Sequence, residues 1–116
     1  MDSEKLIAQV NDTFRHEATS GTKLSMPGMM VATRRVQALP DALKRAVIEQ
    51  IRTYDNFDDD DDDFPDEHGR GHFSIGGQMF VWKIDWTADP TGIVIPKSER
   101  PETFFHVLTI MCAEEE

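Results

Sequence analysis

Residues 73–86, Phe-Ser-Ile-Gly-Gly-Gln-Met-Phe-Val-Trp-Lys-Ile-Asp-Trp, are the stretch on which the fold turns. Phe73 and Ile75 alternate before Gly76-Gly77, and Phe80, Trp82, Ile84 and Trp86 alternate after it. A Gly-Gly pair readily takes the positive φ angles of a tight turn, so the stretch predicts an antiparallel hairpin. Its second strand sends four large apolar groups to one face and Met79, Val81, Lys83 and Asp85 to the other. A face that carries two tryptophans must be covered, and the cover has to come from elsewhere in the chain.

Two amphipathic helices can supply it. Near the N-terminus, Leu6, Val10 and Phe14 recur every four residues with Ile7 beside them. Asp2 or Ser3 is placed to cap this helix, and Gly21 lies beyond its end. The second helix starts at Pro40, a residue that suits a first helical turn, with Asp41 at the positive end of the dipole. Leu43, Val47, Ile51 and Tyr54 form its stripe, widened by Ile48, and Leu39 is placed to pack back over the first turn. Between the helices, Met29–Val36 reads as a short strand whose Arg34 and Arg35 suit a sheet edge. Phe104–Ala113 is apolar on both alternations and reads as an interior strand. The loop from Thr87 to Pro101 has room for a brief strand at Ile93–Ile95. The expected architecture is α+β, with two helices on one face of an antiparallel sheet of about four strands.

The charge is distributed unevenly. Residues 1–54 carry +2 and residues 68–116 carry −3, while the thirteen residues Asp55–Glu67 alone carry −9 of the net −10. Six consecutive aspartates, Asp58 to Asp63, repel one another, so 56–70 is expected to be an exposed acidic loop within a single domain of 116 residues. An extended chain advances about 3.3–3.6 Å per residue, and phosphates on one DNA strand lie about 3.4 Å apart. The loop therefore approaches the linear charge density of a nucleic-acid strand. Asp58, Asp59, Asp60, Asp61, Asp62, Asp63, Asp66 and Glu67 are the candidate contacts to a basic protein surface. The negative charge argues against direct binding of nucleic acid or anionic lipid. No apolar run approaches the ~20 residues of a membrane span. The charged N-terminus does not read as a secretory signal, and Cys112, the single cysteine, leaves no internal disulfide. A cytoplasmic setting is expected.

Other chemistry is sparse. Glu67 and His68 form a potential acid/base pair, but no nucleophile or oxyanion device accompanies them. His72 lies four residues on, with Gly69 and Gly71 arguing against a metal-binding helix. His106 and Cys112 share one face of the last strand, and a zinc site with His68 and His72 would need the loop to fold over that face. The aspartate run lacks the glycine and closing glutamate of an EF-hand, which leaves at most a weak cation site. No metal, cofactor or enzymatic activity is expected. The alternative to the mimic is a small cation- or metabolite-binding regulatory domain centred on Glu67, His68 and Asp85, with Lys83 beside it.

Several short motifs occur together in order. They are Val10-Asn11-Asp12-x-Phe14-Arg15, Ala38-Leu39-Pro40, a Phe/Asp-rich stretch, Glu67-His68 with Gly71 and Phe73, Trp82-Lys83-Ile84-Asp85, Leu108-Thr109-Ile110-Met111 and Ala113-Glu114-Glu115. With these, the chain resembles a family of small bacterial proteins, common on plasmids and other mobile elements of Gram-negative bacteria, described only as a domain of unknown function. Gly69-Arg70 stands where the family tends to have Asp-Phe, and the aspartate run is longer than usual. The resemblance implies a mobile-element setting and no established activity. In that setting, the expected function is non-enzymatic inhibition of a host defence nuclease or DNA-binding complex, of the anti-CRISPR or anti-restriction type.

Overall fold

A computed structural model describes residues 3–55, 57, 67–87 and 104–116. The order is α1 (Ser3–Ser20), β1 (Gly28–Ala32), α2 (Arg34–Gln37), α3 (Asp41–Arg52), β2 (Arg70–Ile75), β3 (Gln78–Thr87) and β4 (Phe105–Cys112), closed by a 3-10 turn at Ala113–Glu115. The four strands form one sheet in the order β1-β4-β3-β2. The expected α+β architecture is present, with β4 in the interior as its two-sided apolarity requires. The candidate strand at 93–95 and the candidate cap Asp2 lie outside the described residues.

The hairpin forms as its sequence dictates. β2 and β3 pair antiparallel from Arg70↔Lys83 to Ile75↔Gln78, and both Gly76 and Gly77 have positive φ. Phe80, Trp82 and Ile84 turn to one face with Leu108, Ile110 and Cys112 of β4 opposite them. α1 and α3 cover that face through Phe14, Val47 and Ile51, all fully buried with Phe80 and Trp82. The rings of Tyr54 and Phe57 meet Trp82 edge-on, at 5.4 and 6.2 Å.

Three expectations need correction. The sheet is mixed, because β1 runs parallel to β4; a run of apolar residues reports burial but not the direction of its partner. The strand expected over Met29–Val36 stops at Ala32. Thr33 then accepts a hydrogen bond from the Val36 N–H and caps the short helix α2, which buries Val36. Finally, the loop expected over 56–70 ends early. Arg70 already belongs to β2, Gly69 C=O accepts from Ile84 N–H at 2.8 Å, and Glu67 and His68 are half-buried.

On the outer face of the sheet, Val81 and Met111 are buried although Met79, Lys83 and Asp85 are exposed. The C-terminal turn is tied down around them. Glu114 accepts from Gln78, Glu115 accepts from Thr33 and from Cys112 N–H, and Glu116 pairs with Arg70.

Close approach of the layers depends on two glycines. A Cβ on Gly28 would lie 2.3 Å from Phe14 and 2.6 Å from the His106 carbonyl; one on Gly71 would lie 2.5 Å from the Trp82 indole nitrogen and 2.6 Å from the Tyr54 ring. Gly71→Ala should therefore cost about 1–3 kcal/mol by overpacking, and Trp82→Ala about 3–5 kcal/mol by leaving a large cavity. Urea unfolding of both variants measures this, and a Gly71→Ala protein as stable as the parent would show that the Trp82–Tyr54 contact is not close-packed.

Candidate functional site

α1 is amphipathic, yet it buries the polar side chains of Asn11, Arg15 and Thr19, the last bonding back to Arg15 C=O within the helix. Asn11 and Arg15 are buried at 1 % and 6 % exposure, and Asp12 lies at the margin beside them. Polar groups in such positions must find partners. The partners of Asn11, Asp12 and Arg15 hold both ends of the chain segment that contains the aspartate run.

The first end follows α3. The last carbonyls of a helix have no partner within it. Arg15 supplies one, donating from Nε to Ile51 C=O at 3.1 Å and from Nη2 to Tyr54 C=O at 3.3 Å. Its Nη1 donates to Asp12 Oδ1 at 2.9 Å. The same guanidinium lies 5.2 Å from the centre of the Phe57 ring and 5.1 Å from that of Trp82, within the range of a cation–π attraction. One side chain thus fixes the exit of α3 and the ring of Phe57.

The second end precedes β2. Asn11 Nδ2 donates to Glu67 C=O at 2.9 Å, and Asn11 Oδ1 accepts from the Trp86 indole N–H at 2.8 Å. His68 has φ +56°, a left-handed conformation in which histidine is enriched among non-glycine residues. Its Nδ1 lies 3.0 Å from both oxygens of Asp12. Its ring stacks on Phe57 with centroids 3.8 Å apart and planes 7° from parallel. Phe57 and His68 are eleven positions apart, so this stack closes the base of the segment between them. Asp12 meets Arg15 on one side and His68 on the other, and thereby joins the two ends.

The sequence-derived candidates distribute unevenly around this clamp. Asp58 to Asp63 and Asp66 lie outside the described residues. Glu67 and His68 are brought to the clamp. Lys83 and Asp85 project from the outer face of β3 and lie 3.5 Å from each other, across the sheet from His68, so the four residues of the alternative site do not converge. His72 faces outward on β2, opposite Val81. His106 is buried on β4 between the rings of Phe14 and Trp86, at 5.2 and 4.7 Å. Cys112 lies six residues further along the same strand, at its opposite end. Burial, together with the Glu115 and Glu114 carboxylates, pushes the Cys112 thiol up and keeps it protonated. No group of three or more metal-ligating side chains occurs among the described residues. Among them, too, no helix is long and apolar enough to cross a membrane.

Periodicity did not single out Asn11, Asp12 and Arg15. The available signal was the position of Asn11 and Arg15, four apart and adjoining Val10 and Phe14, on the stripe that the apolar residues define.

If the clamp rests on the guanidinium fork, Arg15→Met should lose about 1–3 kcal/mol, because the charge-assisted hydrogen bonds to Ile51 C=O, Tyr54 C=O and Asp12 are removed together. Arg15→Lys should recover little of this, since one ammonium cannot span two carbonyls and a carboxylate in the plane of a guanidinium. Chemical denaturation checks both, and parental stability in the Lys variant would refute the fork.

A family model described as "Protein of unknown function (DUF3768)" matches residues 32–115. A search of curated proteins finds no match, and a search of solved structures finds none. The matched span includes Tyr54, Phe57, Glu67, His68 and Trp82 of the clamp, while α1 with Asn11, Asp12 and Arg15 precedes it. By a match over most of its length, the chain belongs to the DUF3768 family of proteins of unknown function.

Proposed function

We propose that this is a non-enzymatic, cytoplasmic binding protein that displays Asp58–Asp63, Asp66 and Glu67 to the basic surface of a nucleic-acid-binding complex. The observation that carries the reading is the closed base of the acidic segment. Phe57 and His68 stack on one another, and Asn11, Asp12 and Arg15 bind the backbone or side chains at both ends. A polyanion on a free tail would lose much of its binding energy to ordering. One whose two ends are fixed together on a folded domain reduces that cost and is presented in one direction. In the mobile-element setting that the family resemblance implies, the partner is a host defence nuclease of the CRISPR or restriction type. The acidic segment would occupy the groove that otherwise holds nucleic acid.

The test separates display from charge. Replacing Asp58–Asp63 together by Asn should leave folding intact, slow association with the partner and flatten its salt dependence. Capture from host lysate at low and high salt, followed by titration of the captured partner with DNA, reads this out. Undiminished partner affinity of the Asn variant at every ionic strength would sink the proposal.

A second reading is favoured by the Asp12–His68 pair. A carboxylate on Nδ1 sets the tautomer and orientation of an imidazole, which prepares Nε2 to bind a cation or metabolite or to move a proton. Asp12→Asn keeps an acceptor toward His68 and Arg15 but removes the charge. Under the binding-protein reading, biological activity stays within a few-fold of the parent. A loss of ~10²-fold or more in a folded variant that still captures its partner would establish chemistry or ligand binding at His68 instead.

A further inference from the structure

We infer that the free edge of β1 is a self-pairing surface, and that two copies of this chain join there, antiparallel, into one continuous sheet. The two edges of the sheet are treated differently. At the β2 edge, the Tyr54 hydroxyl accepts from His72 N–H at 3.3 Å, so a side chain from the end of α3 already occupies the strand. Among the described residues, the β1 edge has no such cover along most of its length.

The register of β1 on β4 decides which groups are available. Pro27 C=O accepts from His106 N–H, and Thr33 N–H donates to Ile110 C=O. Because a parallel ladder uses alternate residues, Met29 and Val31 turn their backbone groups toward β4. Gly28, Met30 and Ala32 turn theirs away from it. Among the described residues, the only partner on that side is Gln37, whose Nε2 donates to Ala32 C=O at 2.6 Å. The outward set is symmetric about Met30. A two-fold axis through Met30 therefore pairs Met30 N–H with Met30 C=O of the second copy, and Ala32 N–H with Gly28 C=O, each in both directions. Gln37 closes the ladder where it ends.

The side chains fit the same axis. In this pairing Met30 of each copy points to the helix-covered face of the other, where β1, α2 and α3 leave an open groove of about 350 Å³. Its walls include Met30, Val36, Val47, Ile48 and Ile110, and Lys44 at its rim is already paired with Asp41 at 3.3 Å. A methionine side chain adapts to irregular apolar space of this kind. On the outer face, Met29, which is 48 % exposed, would lie against Val31 of the second copy.

Electrostatics also favours this edge. The clamps sit at the opposite edge, by β2. At about 4.8 Å per strand, seven spacings keep the two β2 strands roughly 34 Å apart, several times the Debye length of about 8 Å at physiological salt. Joining at β1 is thus the edge-to-edge arrangement that separates the two clamped bases most.

Sedimentation equilibrium of the full chain tests the inference at 0.15 and 0.5 M salt, up to about 100 μM, which covers a weak interface of small area. The expected result is a mass of twice 13.2 kDa, with association no weaker at the higher salt. Met30→Pro removes an N–H that β4 does not use, so the variant should melt like the parent and sediment as a monomer. Met79→Lys, at the other exposed methionine, should remain dimeric. A second variant stands independent of strand stability. In Met29→Cys/Val31→Cys the two cysteines oppose each other across the axis at a separation a disulfide can span, so mild oxidation should give a covalent dimer. Cys112, buried and protonated, does not compete. A monomeric parent at both salts, a folded Met30→Pro dimer, dissociation by Met79→Lys, or failure of the double-cysteine variant to cross-link would each overturn the inference.

Discussion

A buried guanidinium cannot be left unpaired, and the architecture around Arg15 follows from that constraint. Its charge is met by two backbone carbonyls, one carboxylate and the faces of two rings. The carbonyls lie in the last turn of α3 and just beyond it, where the helix dipole is negative and a cation stabilises it. α1 is therefore fastened to the one place on α3 from which the acidic segment departs. Replacing a buried ion pair whole by apolar residues can be neutral, but removing one partner alone is costly because the groups it served lose their donor. The guanidinium also has a positional value, since Leu or Met at 15 would fill the space without specifying where Tyr54 and Phe57 must lie.

The same constraint explains why Asp12 is the joint of the site. A carboxylate that served only Arg15 could sit anywhere within reach of the guanidinium. Placed one turn before it on α1, Asp12 also reaches His68, and Asn11 beside it reaches Glu67. Three neighbouring polar residues on one helix thus hold two chain segments that are distant in sequence. The backbone of His68 accepts a left-handed conformation in return, and the ring then lies flat on Phe57. The aspartates between these anchors repel one another at every spacing shorter than the Debye length. That repulsion would spread the ends of an unfastened segment, and the aromatic stack and the Asp12 contacts oppose it.

Much of the fold was legible in the sequence because binary patterning and burial coincide there. The alternation through Phe80, Trp82 and Ile84, the stripe of Val47 and Ile51, and the two-sided apolarity of Phe105–Cys112 all translate directly into packing. What was not legible has physical reasons. The parallel pairing of β1 depends on β4, more than seventy residues away, and a five-residue strand carries no mark of its partner's direction. α2 arises from Thr33 capping a single turn, a hydrogen bond that competes with continued extension. The clamp was hidden for another reason. Apolar periodicity treats a polar residue on the buried stripe as noise, whereas Asn11 and Arg15 are the residues on that stripe that specify the site.

The outer face and edges of the sheet complete this division of roles. Helices cover one face only, so the other depends on its own residues and on the C-terminal turn. Gln78, Thr33, Arg35 and Arg70 each hold one of the three terminal glutamates, and Val81 and Met111 are buried on the face they adjoin. At the edges, β2 is closed by Tyr54, the residue whose carbonyl Arg15 binds and whose ring meets Trp82. Protection of that edge and fastening of the acidic segment therefore meet in one residue, through its hydroxyl and its main-chain carbonyl. An edge that must stay single beside a polyanion is closed by the residue that anchors it. β1, at the far side of the sheet, carries no such obligation, and its short, uncharged run from Gly28 to Ala32 lacks the charged or proline residues that usually keep an edge strand solitary.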